Sequence, residues 1–156
     1  MRQKISTGDT RNEKPLTQEQ IQCAITFAIT LGMPANRIAY SDHYWTGYND
    51  SADILLLGTD LYPKINAHKG TKTANSRVSW RGVMGHELIG HREAAQKGWT
   101  QSEERLEETQ ASIRAARFTP LLDETERIIL LRDAISRVPA NIRIREIKGR
   151  LHITER

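Results

Sequence analysis

Between Ser79 and Gly98 the chain reads SWRGVMGHELIGHREAAQKG, and the periodicity of this stretch decides what is built around it. Trp80, Val83, Met84, Glu87, Leu88, His91, Ala94 and Ala95 fall along one stripe at three- and four-residue steps, the pattern of a helix with one face turned inward. Gly98 closes it. The stripe carries a glutamate and a histidine among apolar residues, and a second histidine, His86, stands five positions before His91. On a regular helix a five-residue step turns the side chain by about 140°, so the two imidazoles would point apart. Convergence requires a local π-type turn that absorbs one residue, a distortion that concentrates at functional sites. Gly90, inside the interval, is expected to ease it. Without such a turn, Glu87 and His91 are ordinary i, i+4 neighbours and His86 faces elsewhere.

Working outward, the N-terminal side opens with a start signal. Thr17 and Gln20 form an S/T-x-x-Q capping box and Leu16 with Ile21 a hydrophobic staple, predicting a helix from about Leu16 to Gly32. Ile21, Ala24, Ile25, Ala28 and Leu31 give its buried face. Cys23, the single cysteine, is expected in the core; it cannot pair internally, which fits a reducing compartment. Arg37–Ser41 and Asp53–Gly58 have β character and flank an aromatic, turn-rich stretch from His43 to Ala52. Thr59–Ser79 reads as a loop with a short strand at its end. On the C-terminal side, helices are expected over about Ser102–Phe118 and Pro120–Val138, the latter with Asp123 and Glu126 as a second capping box and Pro139 as its stop. Alternating apolar residues in Asn141–Thr154, around Lys148-Gly149, predict a terminal hairpin. The fold class is therefore α+β: a small sheet, an N-terminal helix, an active-site helix, a glutamate-bearing helix, and a C-terminal helix plus hairpin.

The 156 residues suit one domain, 1–156, with 1–15 as a flexible arm. Hydrophobic residues make up 38%, and no apolar run approaches the roughly 20 residues of a membrane span. The first 15 residues lack the apolar core of a secretory signal, so a cytoplasmic site, or delivery into a target cell by a carrier, is the expectation. The net charge of +4 and the pI near 9.4 permit nucleic-acid contact. The basic residues nevertheless interleave with Glu103, Glu104, Glu107, Glu108, Asp123, Glu124 and Glu126, which favours a mixed solvated surface over a phosphate-tracking groove.

Gly85-His86-Glu87-Leu88-Ile89-Gly90-His91 is one residue longer than the H-E-x-x-H of helical zinc peptidases, in which two imidazoles hold the metal beside a glutamate. It resembles the HEXXGH signature of dipeptidyl peptidase III, a zinc metallopeptidase family, at His86, Glu87, Gly90 and His91. That family's second signature, EEXR(A/K)-acid, is approached by Glu107-Glu108-Thr109-Gln110-Ala111-Ser112, with Gln110 in place of the basic residue and Ser112 in place of the acidic one. The resemblance implies a zincin-like site with zinc on His86, His91 and Glu108, and Glu87 as the catalytic base. Independently of it, Glu108 shares a face with Ala111, Ala115 and Phe118, so a carboxylate turns inward and needs a partner. Glu104 extends the same stripe, and Glu104 or Glu107 is the alternative third ligand. His₂Glu ligation favours zinc and also suits manganese or cobalt. His43, Tyr44, Tyr48 and His68 are candidates for stabilising an oxyanion.

Three function classes follow: a metallopeptidase acting on a peptide or protein substrate, a metal-dependent nuclease or other hydrolase, and a non-catalytic partner-binding module. SWRGVMGHELIGHREA followed by LEETQASIRAARF also resembles the C-terminal effector domains of bacterial polymorphic toxins, including those on Rhs repeat proteins. That resemblance implies a toxin delivered by a carrier and a cognate immunity protein as partner.

Overall fold

The structure, a computed structural model, describes residues 11–64 and 73–156. Helix α1, Gln18–Thr30, begins where the Thr17 hydroxyl accepts the Gln20 amide and the Gln20 side chain accepts the Thr17 amide, the reciprocal box that satisfies two otherwise unpaired donors. It ends at Gly32, whose φ of 94° lies in the left-handed region. Ala24, Phe27 and Ala28 are buried. Cys23 is exposed, contrary to expectation, because one residue before Ala24 the helix has turned away from the core.

Three short strands follow: β1 (Ile38–Tyr40), β2 (Gly47–Asn49) and β3 (Ile54–Leu57), in the order β1-β3-β2. β1 pairs parallel with β3, Ala39 opposite Leu56, and β2 pairs antiparallel, Tyr48 opposite Leu55. Leu55 and Leu57 are fully buried. β2 lies inside the stretch read as a turn, since Gly-Tyr-Asn has none of the β-branched alternation that marks a strand. The segment after β3 forms 3-10 turns at Thr59–Leu61 and Asn75–Arg77, with no strand among its described residues. Arg11 and Asn12, within the segment expected as a flexible arm, are anchored, while residues 13–15 are exposed. Arg11 is buried and donates to the carbonyls of Asp60, Leu61 and Asn75, and the Asn12 amide donates to the Tyr62 carbonyl. Residues 1–10 of that arm lie outside the described residues.

The central rod is helix α2 (Trp80–Gly85), a π-helical segment His86–Arg92, and helix α3 (Glu93–Gln96). Ser79 caps its start by accepting the Gly82 amide while donating to Glu126. One side of the rod packs Met84, Leu88 and Ile89 against α1 and the sheet; truncating such a residue to alanine costs about 2–5 kcal/mol. The other side meets α4 (Glu104–Phe118), which is buried from Thr109 through Ala116 and is the middle layer of the molecule. Helix α5 (Glu124–Arg137), opened by the Asp123/Glu126 box, covers α4 from behind.

The terminal segment is not a hairpin. Ile144–Ile147 forms a short helix, α6, running into a 3-10 turn at Lys148–Arg150. Ile147, Leu151 and Ile153 pack on Leu106, Ile113 and Ala134. The spacing of Ile144, Ile147 and Leu151 is helical, and Gly149 does not take the left-handed backbone that a tight hairpin turn demands. What anchors the tail is polar: the buried Arg114 guanidinium donates to the carbonyls of His152 and Glu155, and Gln110 accepts the His152 amide. The molecule is α+β, and no helix among the described residues is long and apolar enough to cross a membrane.

Candidate metal centre

The π segment supplies the geometry that the five-residue spacing requires. His86 and His91 lie side by side, ring centroids 4.7 Å apart and planes nearly perpendicular, with their Nε2 atoms 3.1 Å from each other. Gly90 has a more specific task than easing the distortion. A Cβ there would sit 2.5 Å from the Ala111 carbonyl oxygen and 2.8 Å from its Cα, so glycine lets the backbones of the rod and α4 touch. That contact brings Glu107 and Glu108, one turn before Ala111, up to the imidazoles.

The hydrogen bonds fix which nitrogen of each ring faces inward. The single Ser112 proton goes to Asp133 Oδ2 at 2.7 Å, so Ser112 Oγ accepts from His86 Nδ1 at 2.9 Å. His91 Nδ1 donates to Glu107 Oε2 at 2.9 Å, while Glu107 Oε1 accepts the Gln101 amide. Both rings are thus held by Nδ1–H, leaving both Nε2 atoms turned toward Glu108. His86 Nε2 is 2.9 Å from Glu108 Oε2 and His91 Nε2 is 3.5 Å from Oε1. Arg137 holds Glu108 from behind at 3.4 Å and also donates to Asp133. Helix α5 therefore supports two of the three groups through residues one turn apart.

Three groups that present lone pairs at this range repel unless a cation stands among them. In a tetrahedral zinc site with bonds of about 2.0–2.1 Å, neighbouring donor atoms are about 3.3 Å apart. The observed 2.9, 3.1 and 3.5 Å bracket that value, and two imidazoles with a carboxylate are a zinc-type donor set. The Asp133-bound Ser112 hydroxyl behind His86 and the amide-anchored Glu107 carboxylate behind His91 are outer partners of the kind that metal-ligating histidines ordinarily have. A proton is the other cation that fits. Burial opposes charge on His91, but the hydrogen bonds to Glu107 and Glu108 and the nearby Glu87 push it up to about 10. Burial likewise works to raise the Glu108 carboxyl, and the two imidazoles prevail, holding it well below the usual carboxylate range.

Glu87 is buried, and its Oε2 accepts the Tyr48 amide of edge strand β2 at 3.0 Å. It lines a cleft of about 830 Å³ together with Trp45, Tyr48, His91, Glu107 and Glu108. Glu104 also lines this cleft, one turn before the imidazole contacts, while Glu107 lies on the outer side of His91. Of the three oxyanion candidates among the described residues, Tyr48 alone is in the lining; its hydroxyl donates to Asp53, and burial with that carboxylate pushes it up to about 12. The Tyr44 hydroxyl accepts the Arg11 amide, and His43 is exposed away from the cleft. His68 lies outside the described residues. Ser112, Asp133 and Arg137 were not singled out by sequence reasoning. Ser112 occupies the acidic position of the second signature, and the i, i+4 pair Asp133/Arg137 on α5 was the one visible signal.

Compared with protein-family models, with curated proteins and with solved structures, the chain matches none.

Proposed function

We propose that this chain is a zincin-like, zinc-dependent hydrolase of peptide bonds. The observation that carries the reading is the convergence of His86 Nε2, His91 Nε2 and the Glu108 carboxylate, each oriented from behind, at the wall of a cleft that also holds the Glu87 carboxylate. Zinc, when bound, supplies Lewis acidity toward water and toward a carbonyl oxygen. Glu87, with one oxygen fixed by the Tyr48 amide, takes a proton from water and hands it to the leaving amine. Strand β2 holds this base in register with the cleft, and the buried floor of the π segment limits the water around it.

The lining favours a peptide over a nucleic acid. Among the described residues it contains five carboxylates, Asp50, Glu87, Glu104, Glu107 and Glu108, and no lysine or arginine, so a phosphodiester backbone would enter against like charge. Resemblance to toxin effector domains extends the proposal to a peptidase delivered by a carrier and checked by an immunity protein.

The test is cleavage of casein and of a mixed peptide pool by zinc-reconstituted protein. Activity should vanish with a chelator and return with zinc. Glu87→Gln should bind zinc as the wild type does and lose about 10²–10⁴-fold in turnover. A fully active Glu87→Gln protein would remove the base assignment, and activity indifferent to chelation would remove the metal.

A further inference from the structure

The charge of the cleft runs against the charge of the chain. The protein carries +4 overall, with 23 lysines and arginines against 19 acidic residues, yet among the described residues the cleft wall has carboxylates and no lysine or arginine. A dication at the centre would offset Glu87 and Glu108, and Glu107 is held by His91 and the Gln101 amide, leaving Asp50 and Glu104 without a cation among the described lining residues. Asp50 stands in the turn after β2, and Glu104 begins α4 on the facing side. Both are exposed, and neither has a hydrogen-bond or ion-pair partner among the described residues. Low-dielectric walls of one sign concentrate field lines and raise the local concentration of oppositely charged ligand.

A second feature of the same cleft points the same way. Trp45 is 40% exposed, unusual for a tryptophan, and its ring lies over Gly47, where a Cβ would fall 2.4 Å from ring atoms. The glycine makes room for the indole, so the ring is a seated platform rather than a loose side chain. An open indole face beside carboxylates is a receptor for a cationic side chain, which gains from the ring quadrupole and from the acids together.

We propose that this cleft selects peptide segments bearing lysine or arginine, with Trp45 as the platform and Asp50 and Glu104 as the residues that set the preference. The proposal rests on the peptidase reading of the same site. Zinc-loaded Glu87→Gln protein should be titrated with fluorescently labelled peptides of equal length in which lysine or arginine is replaced by glutamine or by glutamate. The cationic peptide should bind about tenfold more tightly than the glutamine one, the worth of two partly exposed charge contacts and a cation–π contact. Because the protein is basic overall, non-specific attraction would favour the glutamate peptide, so the preference reports the cleft itself. Asp50→Asn with Glu104→Gln, and separately Trp45→Ala, should remove most of that tenfold difference. Equal binding of the three peptides, or an unchanged preference in both variants, overturns the proposal. Wild-type cleavage separates the two ideas. Selective binding without cleavage of any peptide sinks the peptidase reading and leaves the cleft preference standing. Cleavage and binding indifferent to peptide charge do the reverse.

Discussion

Ser112 has one proton to give, and its commitment to Asp133 makes His86 donate through Nδ1 and keep the Nε2 lone pair for the site. Ser112→Ala and Asp133→Asn should therefore fold and bind zinc about 10–100-fold more weakly, the usual cost of losing an outer partner. Competition against a chromophoric chelator measures it, and wild-type affinity in both variants would contradict the assigned ring orientation. His91 makes a pH prediction. Its folded value of about 10 exceeds the ordinary 6.5, so in metal-free protein its proton stabilises the fold fully below pH 6.5, an effect lost as pH rises through about 10. Zinc has to displace that proton. Calorimetry at pH 7 in buffers of different ionisation enthalpy should count protons released on zinc uptake, and apparent affinity should climb with pH. Uptake with no proton released would show that His91 is not a ligand. The sequence contained His86, Glu87, His91 and Glu108 in legible form because spacing and helical face are local properties. The Ser112–Asp133 relay was not legible, because it depends on which faces of α4 and α5 meet.

At the scale of elements, the π segment and α4 form one device. The five-residue histidine interval already demanded an overwide turn, but the reason for Gly90 lies in another helix, at the Ala111 backbone. Gly90→Ala should push the two apart, costing on the order of 1–3 kcal/mol by overpacking and weakening zinc binding along with it. Thermal melts paired with metal titration would check this; a variant with unaltered stability and affinity would show that the close approach is dispensable. A second junction ties the sheet to the rod. Asp53, after β2, accepts from Arg92 at 2.8 Å and from the Tyr48 hydroxyl at 2.7 Å. The Arg92 hydrogen bond, then that of Tyr48, hold its carboxyl down at about 2. A depressed carboxyl stabilises fully above its ordinary 3.8 and loses that contribution as pH falls toward 2. Asp53→Asn should flatten the acid-unfolding curve in that window, by about 1 kcal/mol for a pair whose carboxylate remains partly open to solvent; a curve parallel to wild type would mean the pair is inert. Strand β2 and the tail escaped sequence reading for the same reason as Gly90. Gly47–Asn49 is a strand because β3 lies beside it, and the tail is fixed by Arg114 and Gln110 of α4 rather than by its own turn.

Across the whole molecule, the capping boxes, the helical faces and the α+β class could be read from one strand of text, since each is written within a few residues. The layering could not. α4 is the middle of the protein, with Gln110, Ser112 and Arg114 buried in it and each hydrogen-bonded, and polar residues in that pattern read as surface until their partners are known. That layering places the π segment, α4 and α5 around one point. The most direct test is metal analysis of the wild type beside His86→Ala, His91→Ala and Glu108→Ala after dialysis against trace zinc. The account predicts one zinc per chain in the wild type and almost none in each folded variant. A folded wild type that holds no zinc, or single variants that keep a full equivalent, would contradict it.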